Sequence, residues 1–223
     1  MKKFVPLIFI SLFCLGALLY VNYSKRSPVK KARYFPFYGE KSLSATNDTV
    51  YHTVGAFSFI NQLGDTVSTA SLKDKNYVAE FFFTTCKSIC PIMNRNMMLV
   101  AEKIKGDGNF KILSHTVKPY EDSVPVLYKY AGEHRSDNSQ WYFLTGDQDA
   151  LYRMARYSYL VTTDSIQKGS KDDFVHTQLF VLVDKDRHIR SYYDGTSEAE
   201  VQKLILDIDS LKKEQRLNAV EGK

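Results

Sequence analysis

The chain has few cysteines, and their small number limits what they can do. Only three occur in 223 residues, which is too few for a small fold held together by disulfide bonds. Cys14 lies within an apolar run near the N terminus, so Cys86 and Cys90 remain as a pair. A reducing compartment favours a metal-binding or redox role for this pair, whereas an oxidising one also permits a structural disulfide. All three roles stay open at this point.

The chain also lacks an excess of basic charge outside its N-terminal part. Its formal net charge of +5 comes from 30 basic and 25 acidic residues. Seven of the basic residues precede the first acid, Glu40, which leaves 23 basic residues against the 25 acidic ones. Because a nucleic-acid-binding surface is usually strongly basic, we expect no nucleic acid among the partners.

One long apolar run is present, at residues 4–21, and only Ser11 interrupts it. About eighteen residues is the lower limit for a membrane-spanning helix and exceeds the usual core of a signal peptide. No clean cleavage site of small residues follows the run. We therefore predict a membrane anchor at residues 1–26, with a cleaved signal as the alternative. More basic residues follow the run than precede it, which taken alone would place the rest of the chain on the inside.

The remaining chain divides into a tether, a domain and a tail. Residues 27–48 are first basic and then aromatic, without a helical or strand period, which predicts a tether. Residues 49–213 carry the periodic apolar patterns of one folded domain, long enough to bury a sizeable core. Residues 214–223 are expected to be frayed.

The domain's patterns predict an α/β fold with a mixed central sheet flanked by helices. Residues 78–83 are almost entirely apolar, which is typical of a fully buried strand. A hairpin with a turn at Gly64-Asp65 is expected ahead of it, and strands and helices alternate after it. The further predicted strands are 110–117, 140–144, 179–183 and 188–193, and the predicted helices start near Cys86 or Pro91, after Ser123, after Asp147 and after Ser197.

Cys86 and Cys90 lie where the first buried strand gives way to a helix, in the stretch Phe-Thr-Thr-Cys-Lys-Ser-Ile-Cys-Pro of residues 83–91. If the helix starts at Cys86, the two sulfurs occupy positions i and i+4 on one face. A thiolate at a helix N terminus is stabilised by free N–H groups and by the helix dipole. Such a pair can bind a metal or close into a disulfide bond, and its placement is similar to that in thioredoxin-like folds.

This motif, together with Val175-His176-Thr177 ahead of a late strand, resembles the Sco family of copper-binding, membrane-anchored proteins of mitochondria and bacteria. The resemblance covers about residues 51–209 and the anchor. It implies a thioredoxin-like fold and a copper site formed by Cys86, Cys90 and His176. It also implies a copper chaperone that assists assembly of the dinuclear copper site of cytochrome c oxidase.

The resemblance implies partners and a location as well. The partners are the oxidase subunit that carries the copper site and proteins that donate copper. The domain is expected on the periplasmic or outer side of the cell membrane, held by a single-pass anchor. Two thiolates and one imidazole suit copper, Cu(I) in particular, with Cu(II) as a second form. Zinc usually requires a fourth ligand.

A thiol–disulfide oxidoreductase, with Cys86 attacking and Cys90 resolving, is the main alternative. Generic thioredoxin-like reductases have two residues between their cysteines and a proline before the late strand, whereas this chain has three residues and no proline at 174–183. A peroxidase is disfavoured because Ala79 and Phe83 stand where a peroxiredoxin has proline and threonine. A weaker third hypothesis is a redox or copper sensor whose long loop, residues 159–175, changes its order on binding.

Two departures from the Sco pattern affect the surroundings of the cysteines. Lys118-Pro119-Tyr120 replaces the usual Asp-Pro-Glu, and Glu121 and Asp122 follow later, so an acid that supports the site is in question. Lys87 replaces a common proline between the cysteines and adds a positive charge there.

Structural explanations compete with each of these assignments. The two cysteines also suit a structural disulfide or small buried apolar residues. His176 also suits a surface or core position, and Asp172 and Asp173 suit either loop solubility or the orientation of its ring. Met93 and Met97 share the helix face of Val100 and Ile104, which favours core packing over copper binding. His52, His115, His134 and His188 are interpreted as structural, with His115 expected in a strand near the cysteines.

Overall fold

The described part of the protein comprises residues 35–134, 136–161 and 177–221 of a computed structural model. The predicted anchor, residues 27–34 of the predicted tether and the predicted ligand His176 lie outside these ranges. Within the described ranges, none of the helices combines the length and the apolar character needed to cross a membrane.

Nine strands and four helices make up the described part of the chain. The strands are β1 (Lys41–Leu43), β2 (Thr49–Tyr51), β3 (Ser58–Ile60), β4 (Thr66–Ser68), β5 (Asn76–Phe82), β6 (Phe110–Thr116), β7 (Trp141–Leu144), β8 (Leu179–Val183) and β9 (Ile189–Asp194). The helices are α1 (Cys90–Ile104), α2 (Val124–Glu133), α3 (Gln148–Arg153) and α4 (Glu198–Glu221), and a π-helical turn, Met154–Ser158, follows α3.

The central sheet has five strands in the order β7-β6-β5-β8-β9. Strand β5 lies in the middle and is buried along its whole length, as its apolar sequence predicts. It pairs in parallel with β6, with Phe82 opposite Thr116, and antiparallel with β8, with Ala79 opposite Val181. Because β5, β6 and β7 are parallel, their carboxyl ends meet at one edge of the sheet, which is where the cysteines follow. This confirms the mixed α/β sheet.

Side chains of β5 alternate between two hydrophobic cores. Val78 and Phe82 belong to the core that also contains Cys90, Met93 and Met97. Tyr77, Ala79 and Phe81 contribute to the core on the opposite face. Met93 and Met97 are both almost completely buried, so the prediction that they are core residues is confirmed.

The predicted hairpin is present as β3–β4, and Gly64 in its turn has a positive φ of 86°. The helix expected after Asp147 is also present, and the Asp147 side chain accepts a hydrogen bond from the Ala150 N–H group. Helix α2 begins directly after Ser123, as predicted, but the Ser123 side chain makes no capping hydrogen bond within the described residues. Pro125 removes one of the N–H groups on which such a cap depends.

One of the two compact units of the chain spans residues 35–211, so this folded unit starts earlier than the predicted boundary at residue 49. Phe35 is buried, and the Arg190 guanidinium donates to the carbonyl oxygens of Phe35 and Pro36. Lys41–Leu43 then pairs with Thr49–Tyr51 as a hairpin. The tether prediction is therefore wrong from residue 35 onward.

The final helix is longer than predicted. Helix α4 continues to Glu221, whereas we expected fraying from residue 214. No glycine or proline occurs between residues 198 and 221, and most of the last ten residues of α4 favour helix. Residues 214–221, which we expected to be frayed, are thus part of this helix.

Candidate functional site

Cys86 and Cys90 lie together at the junction of β5 and α1. Cys86 lies in the connecting loop, and Cys90 is the first residue of α1. The N–H group of Cys90 donates to the Cys86 sulfur at 3.4 Å. Helix α1 therefore starts at the second cysteine rather than the first, in keeping with the preference of Pro91 for the first turn of a helix. Both cysteines are free thiols.

The surroundings of Cys86 favour its thiolate form. Partial burial acts to raise the pKa of Cys86, but hydrogen bonds from the Cys90 thiol and N–H group and from Ser88 outweigh it, and the pKa is lowered. The Ser88 hydroxyl lies 3.7 Å from the sulfur. Cys86 is only partly buried, so a partner can reach it.

The surroundings of Cys90 favour its protonated form. Burial, followed by the hydrogen bond to Cys86 and the negative charges of Cys86 and Glu80, raises the pKa of Cys90 to about 12. The two thiols are thus unequal: one is accessible and readily ionised, and the other is buried and retains its proton. This is the division between an attacking and a resolving thiol.

Glu80 is a buried carboxyl group on the cysteine side of β5. Its Oε1 atom accepts a hydrogen bond from the Ser114 hydroxyl at 2.6 Å, and Ser114 in turn accepts one from the Trp141 indole at 2.8 Å. Its Oε2 atom has no hydrogen-bond partner within the described residues. Burial raises the pKa of Glu80 to about 7. Glu80 was not among the predicted site residues, although a single acid in an otherwise apolar strand was a usable signal.

Two further acids reach the loop that carries Cys86. The buried Asp122 accepts a hydrogen bond from the Thr84 hydroxyl at 2.5 Å, and Glu121 accepts one from the Thr85 hydroxyl at 3.0 Å. No acid stands at residues 118–120, but these two supply carboxylates to the same loop. Glu121 and Asp122 therefore supply the supporting acids that the replacement of Asp-Pro-Glu by Lys118-Pro119-Tyr120 had put in question.

The third predicted ligand is outside the described residues. His176, Asp172 and Asp173 all fall in the range 162–176, and the ligand role of His176 stays a prediction. Among the residues that the structure describes, no group of three or more histidine, cysteine or acidic side chains is arranged to bind a metal. Of the predicted ligands, the structure brings Cys86 and Cys90 together.

His115 lies in the core on the other face of the sheet. Its ring stacks on Phe81, with centroids 5.2 Å apart, and its Nε2 atom lies 3.2 Å from the Tyr159 hydroxyl. Burial lowers the pKa of His115 to about 3. The ring is therefore neutral and belongs to the core opposite the cysteines, which agrees with its interpretation as structural.

Comparison with known proteins gives a consistent assignment. The family model described as SCO1/SenC matches residues 45–212. The SCO1 protein homolog of Bacillus subtilis (strain 168) is 31% identical over 165 residues, which cover 73% of this chain and 84% of that protein.

Solved structures agree in fold. BsSco, a member of the Sco family of cytochrome c oxidase assembly proteins with a disulfide switch, is 31% identical and has a TM-score of 0.62 over 73% of this chain and 94% of its own. Copper-bound ScoI of Arabidopsis thaliana has a TM-score of 0.56 over 70% of this chain and 98% of its own; at 23% identity this is a likeness of fold. The chain therefore belongs to the SCO1/SenC family.

Proposed function

We propose that this protein binds copper through Cys86, Cys90 and His176 and assists assembly of the dinuclear copper site of cytochrome c oxidase. The observation that carries the proposal is the pair of free thiols at the β5–α1 junction, one partly exposed and the other buried beside it. Thiolates are soft ligands that select Cu(I) over harder cations. Because Cys86 is only partly buried, an ion bound between the two sulfurs would lie near the surface, from which a partner can take it.

The sheet register supports His176 as the third ligand. Strand β8 runs antiparallel to β5, with Ala79 opposite Val181. The amino end of β8 therefore lies at the same edge of the sheet as the carboxyl end of β5, which leads into Cys86. Only Thr177 and Gln178 separate His176 from the first residue of β8 in the sequence. The chain therefore enters this strand at the edge of the sheet where the cysteines follow β5.

The proposed partners follow from the proposed cargo. They are the oxidase subunit that carries the dinuclear copper site and a protein that donates copper. BsSco, 31% identical to this chain, belongs to a family of oxidase assembly proteins, which supports the first partner. We propose further that residues 4–21 anchor the protein and that the domain faces the outer side of the membrane. A C-terminal reporter fusion that is active only inside the cell would refute this orientation.

Copper titration tests the ligand set. The reduced protein, kept without oxygen, is titrated with Cu(I) and separately with Cu(II), and about one copper ion per chain is expected to bind. Cys86→Ser, Cys90→Ser and His176→Ala should each weaken binding. His134→Ala is the matched control, since the His134 ring contacts the Tyr130 carbonyl oxygen of its own helix at 2.8 Å. Unchanged affinity in His176→Ala would remove His176 from the site, and no binding by the unaltered protein would refute the copper function.

A second candidate, a thiol–disulfide oxidoreductase, is favoured by the inequality of the two thiols. The Cys86 thiolate would attack a partner's disulfide and release one partner thiolate. Cys90, after losing its proton, would then attack the mixed disulfide, which yields the Cys86–Cys90 disulfide and the second partner thiolate. Rapid insulin reduction by a protein that binds no copper would favour this function over the first.

A further inference from the structure

Three consecutive residues, 83–85, connect β5 to Cys86, and a turn at residues 118–122 runs beside them. The two segments are adjacent because β5 and β6 are parallel and end together, with the Val117 N–H group donating to the Phe82 carbonyl oxygen at 2.9 Å. Each of the three connecting residues is contacted by one side chain of the turn. Because residues 83–85 lead directly into Cys86, contacts that hold these residues in place also determine the position of Cys86.

Asp122 makes the buried contact. Its carboxylate is fully buried and accepts hydrogen bonds from the Thr84 N–H group at 3.3 Å and from the Thr84 hydroxyl at 2.5 Å. It also accepts one from the Thr116 hydroxyl at the end of β6. The Thr116 hydroxyl accepts in turn from the Lys118 N–H group at 2.9 Å. One side chain thus joins the end of β6, the turn and the residue two positions before Cys86.

The two outer contacts are solvent-exposed and weaker. Glu121 accepts from the Thr85 hydroxyl at 3.0 Å and pairs with the Lys118 ammonium at 3.1 Å. The same ammonium lies 4.8 Å from the centre of the Phe83 ring. Exposed ion pairs contribute little to stability, whereas hydrogen bonds to a buried carboxylate are among the strongest in a protein. The connection therefore depends mainly on Asp122.

We propose that Asp122 is a positioning residue, which fixes Thr84 and thereby holds Cys86 beside Cys90. The proposal rests on the proposed function only in that the two thiols act as a pair. A carboxylate suits this position because it only accepts hydrogen bonds, and all three groups that face it are donors. An amide would present its NH₂ group to one of them.

The equilibrium between the protein and glutathione measures how well the two thiols are held together. In this exchange the two protein thiols form one disulfide bond, and one glutathione disulfide is cleaved to two glutathione thiols, so two electrons and two protons pass to glutathione. The full chain is used without metal, with Cys14→Ser in every variant so that only Cys86 and Cys90 react. Acid quenching, alkylation and mass spectrometry give the oxidised fraction.

We expect Asp122→Ala to lower the equilibrium constant for disulfide formation by roughly tenfold or more, because each hydrogen bond to a charged group is worth about that factor. Thr84→Val should lower it less, since the Thr84 N–H group still donates to Asp122. Asp207→Asn is the matched control, because Asp207 is a buried carboxylate that accepts from the Tyr193 hydroxyl at 2.9 Å and lies in α4. It should leave the equilibrium constant unchanged.

Two outcomes overturn the proposal. The first is a folded Asp122→Ala protein, judged by circular dichroism, that has the equilibrium constant of the control. The second, which decides if Asp122→Ala does not fold, is a Thr84→Val protein identical to the unaltered one. Failure of the copper function is seen separately: a protein that binds no copper but shows the expected order of equilibrium constants supports the role of Asp122 and refutes only the copper proposal.

Discussion

Replacing Glu80 with glutamine should stabilise the protein above neutral pH. The carboxyl group is fully buried in β5, and no cation or hydroxyl within the described residues satisfies its Oε2 atom. A charge in that position is unfavourable, so the folded protein holds the proton up to a pKa of about 7, against an ordinary value of 4.5. Glutamine has nearly the same shape as the protonated acid and still accepts the hydrogen bond from Ser114.

The magnitude follows from the two pKa values. Because the folded pKa is the higher one, the contribution of Glu80 to stability is complete below pH 4.5 and is lost as the pH rises through 7. The difference between 4.5 and about 7 corresponds to about 3 kcal/mol of unfolding free energy. Glutamine does not titrate, so the variant avoids this loss. The two proteins should therefore be similar near pH 5 and differ by about 3 kcal/mol above pH 8.

Urea unfolding of the reduced, metal-free protein measures this difference. The single tryptophan, Trp141, is buried and donates to Ser114, so its fluorescence reports the unfolding of this core. Glu102→Gln is the control, since Glu102 is exposed and pairs with the exposed Lys105; it should not gain stability with pH. The reasoning is refuted if the Glu80→Gln protein has the same stability relative to the unaltered protein at pH 5 and pH 8.

Three further outcomes are expected. The pKa of about 3 for His115 lies below its ordinary value of 6.5, so stability should fall by up to about 4 kcal/mol as the pH drops from 6.5 towards 3. His115→Phe should remove much of that acid loss in urea unfolding, and an unchanged loss would contradict the burial of a neutral ring. In the reduced protein at pH 7, Cys86 should be alkylated by iodoacetamide at least about tenfold faster than Cys90; equal rates by mass spectrometry would disprove the inequality of the thiols. Arg190→Met should destabilise the protein by about 3–5 kcal/mol because it removes the buried guanidinium that pairs with Asp184, and a loss below about 1 kcal/mol in urea unfolding would argue against that ion pair.

Local patterns were sufficient for most of the secondary structure. The apolar run of β5 predicted a buried strand because period and composition act within a few residues. Boundaries depended on distant contacts instead. The domain starts at residue 35 because Arg190, 155 positions later, binds the Phe35 carbonyl oxygen, and no local pattern indicates that pairing.

The candidate site shows the same division between local and distant signals. Cys86 and Cys90 were identified from their spacing and from the strand before them. The inequality of the two thiols was not, because it arises from the burial of Cys90 and from the hydrogen bonds that the Cys90 thiol and N–H group give to the Cys86 sulfur. The spacing alone fits a helix that starts at either cysteine.

The roles of Glu80 and Asp122 could not be predicted from the sequence for a shared reason. Each acquires its environment from β6, a strand that follows only after α1. Ser114 and Thr116 are two positions apart in β6 and so face the same side of the sheet; the first donates to Glu80 and the second to Asp122. Glu80, one of whose oxygens has no partner within the described residues, acts to raise the pKa of Cys90, whereas Asp122 accepts three hydrogen bonds and fixes the approach to Cys86. Two hydroxyl residues on alternate positions of a mostly buried strand are therefore the sequence signal that links both acids to the thiol pair.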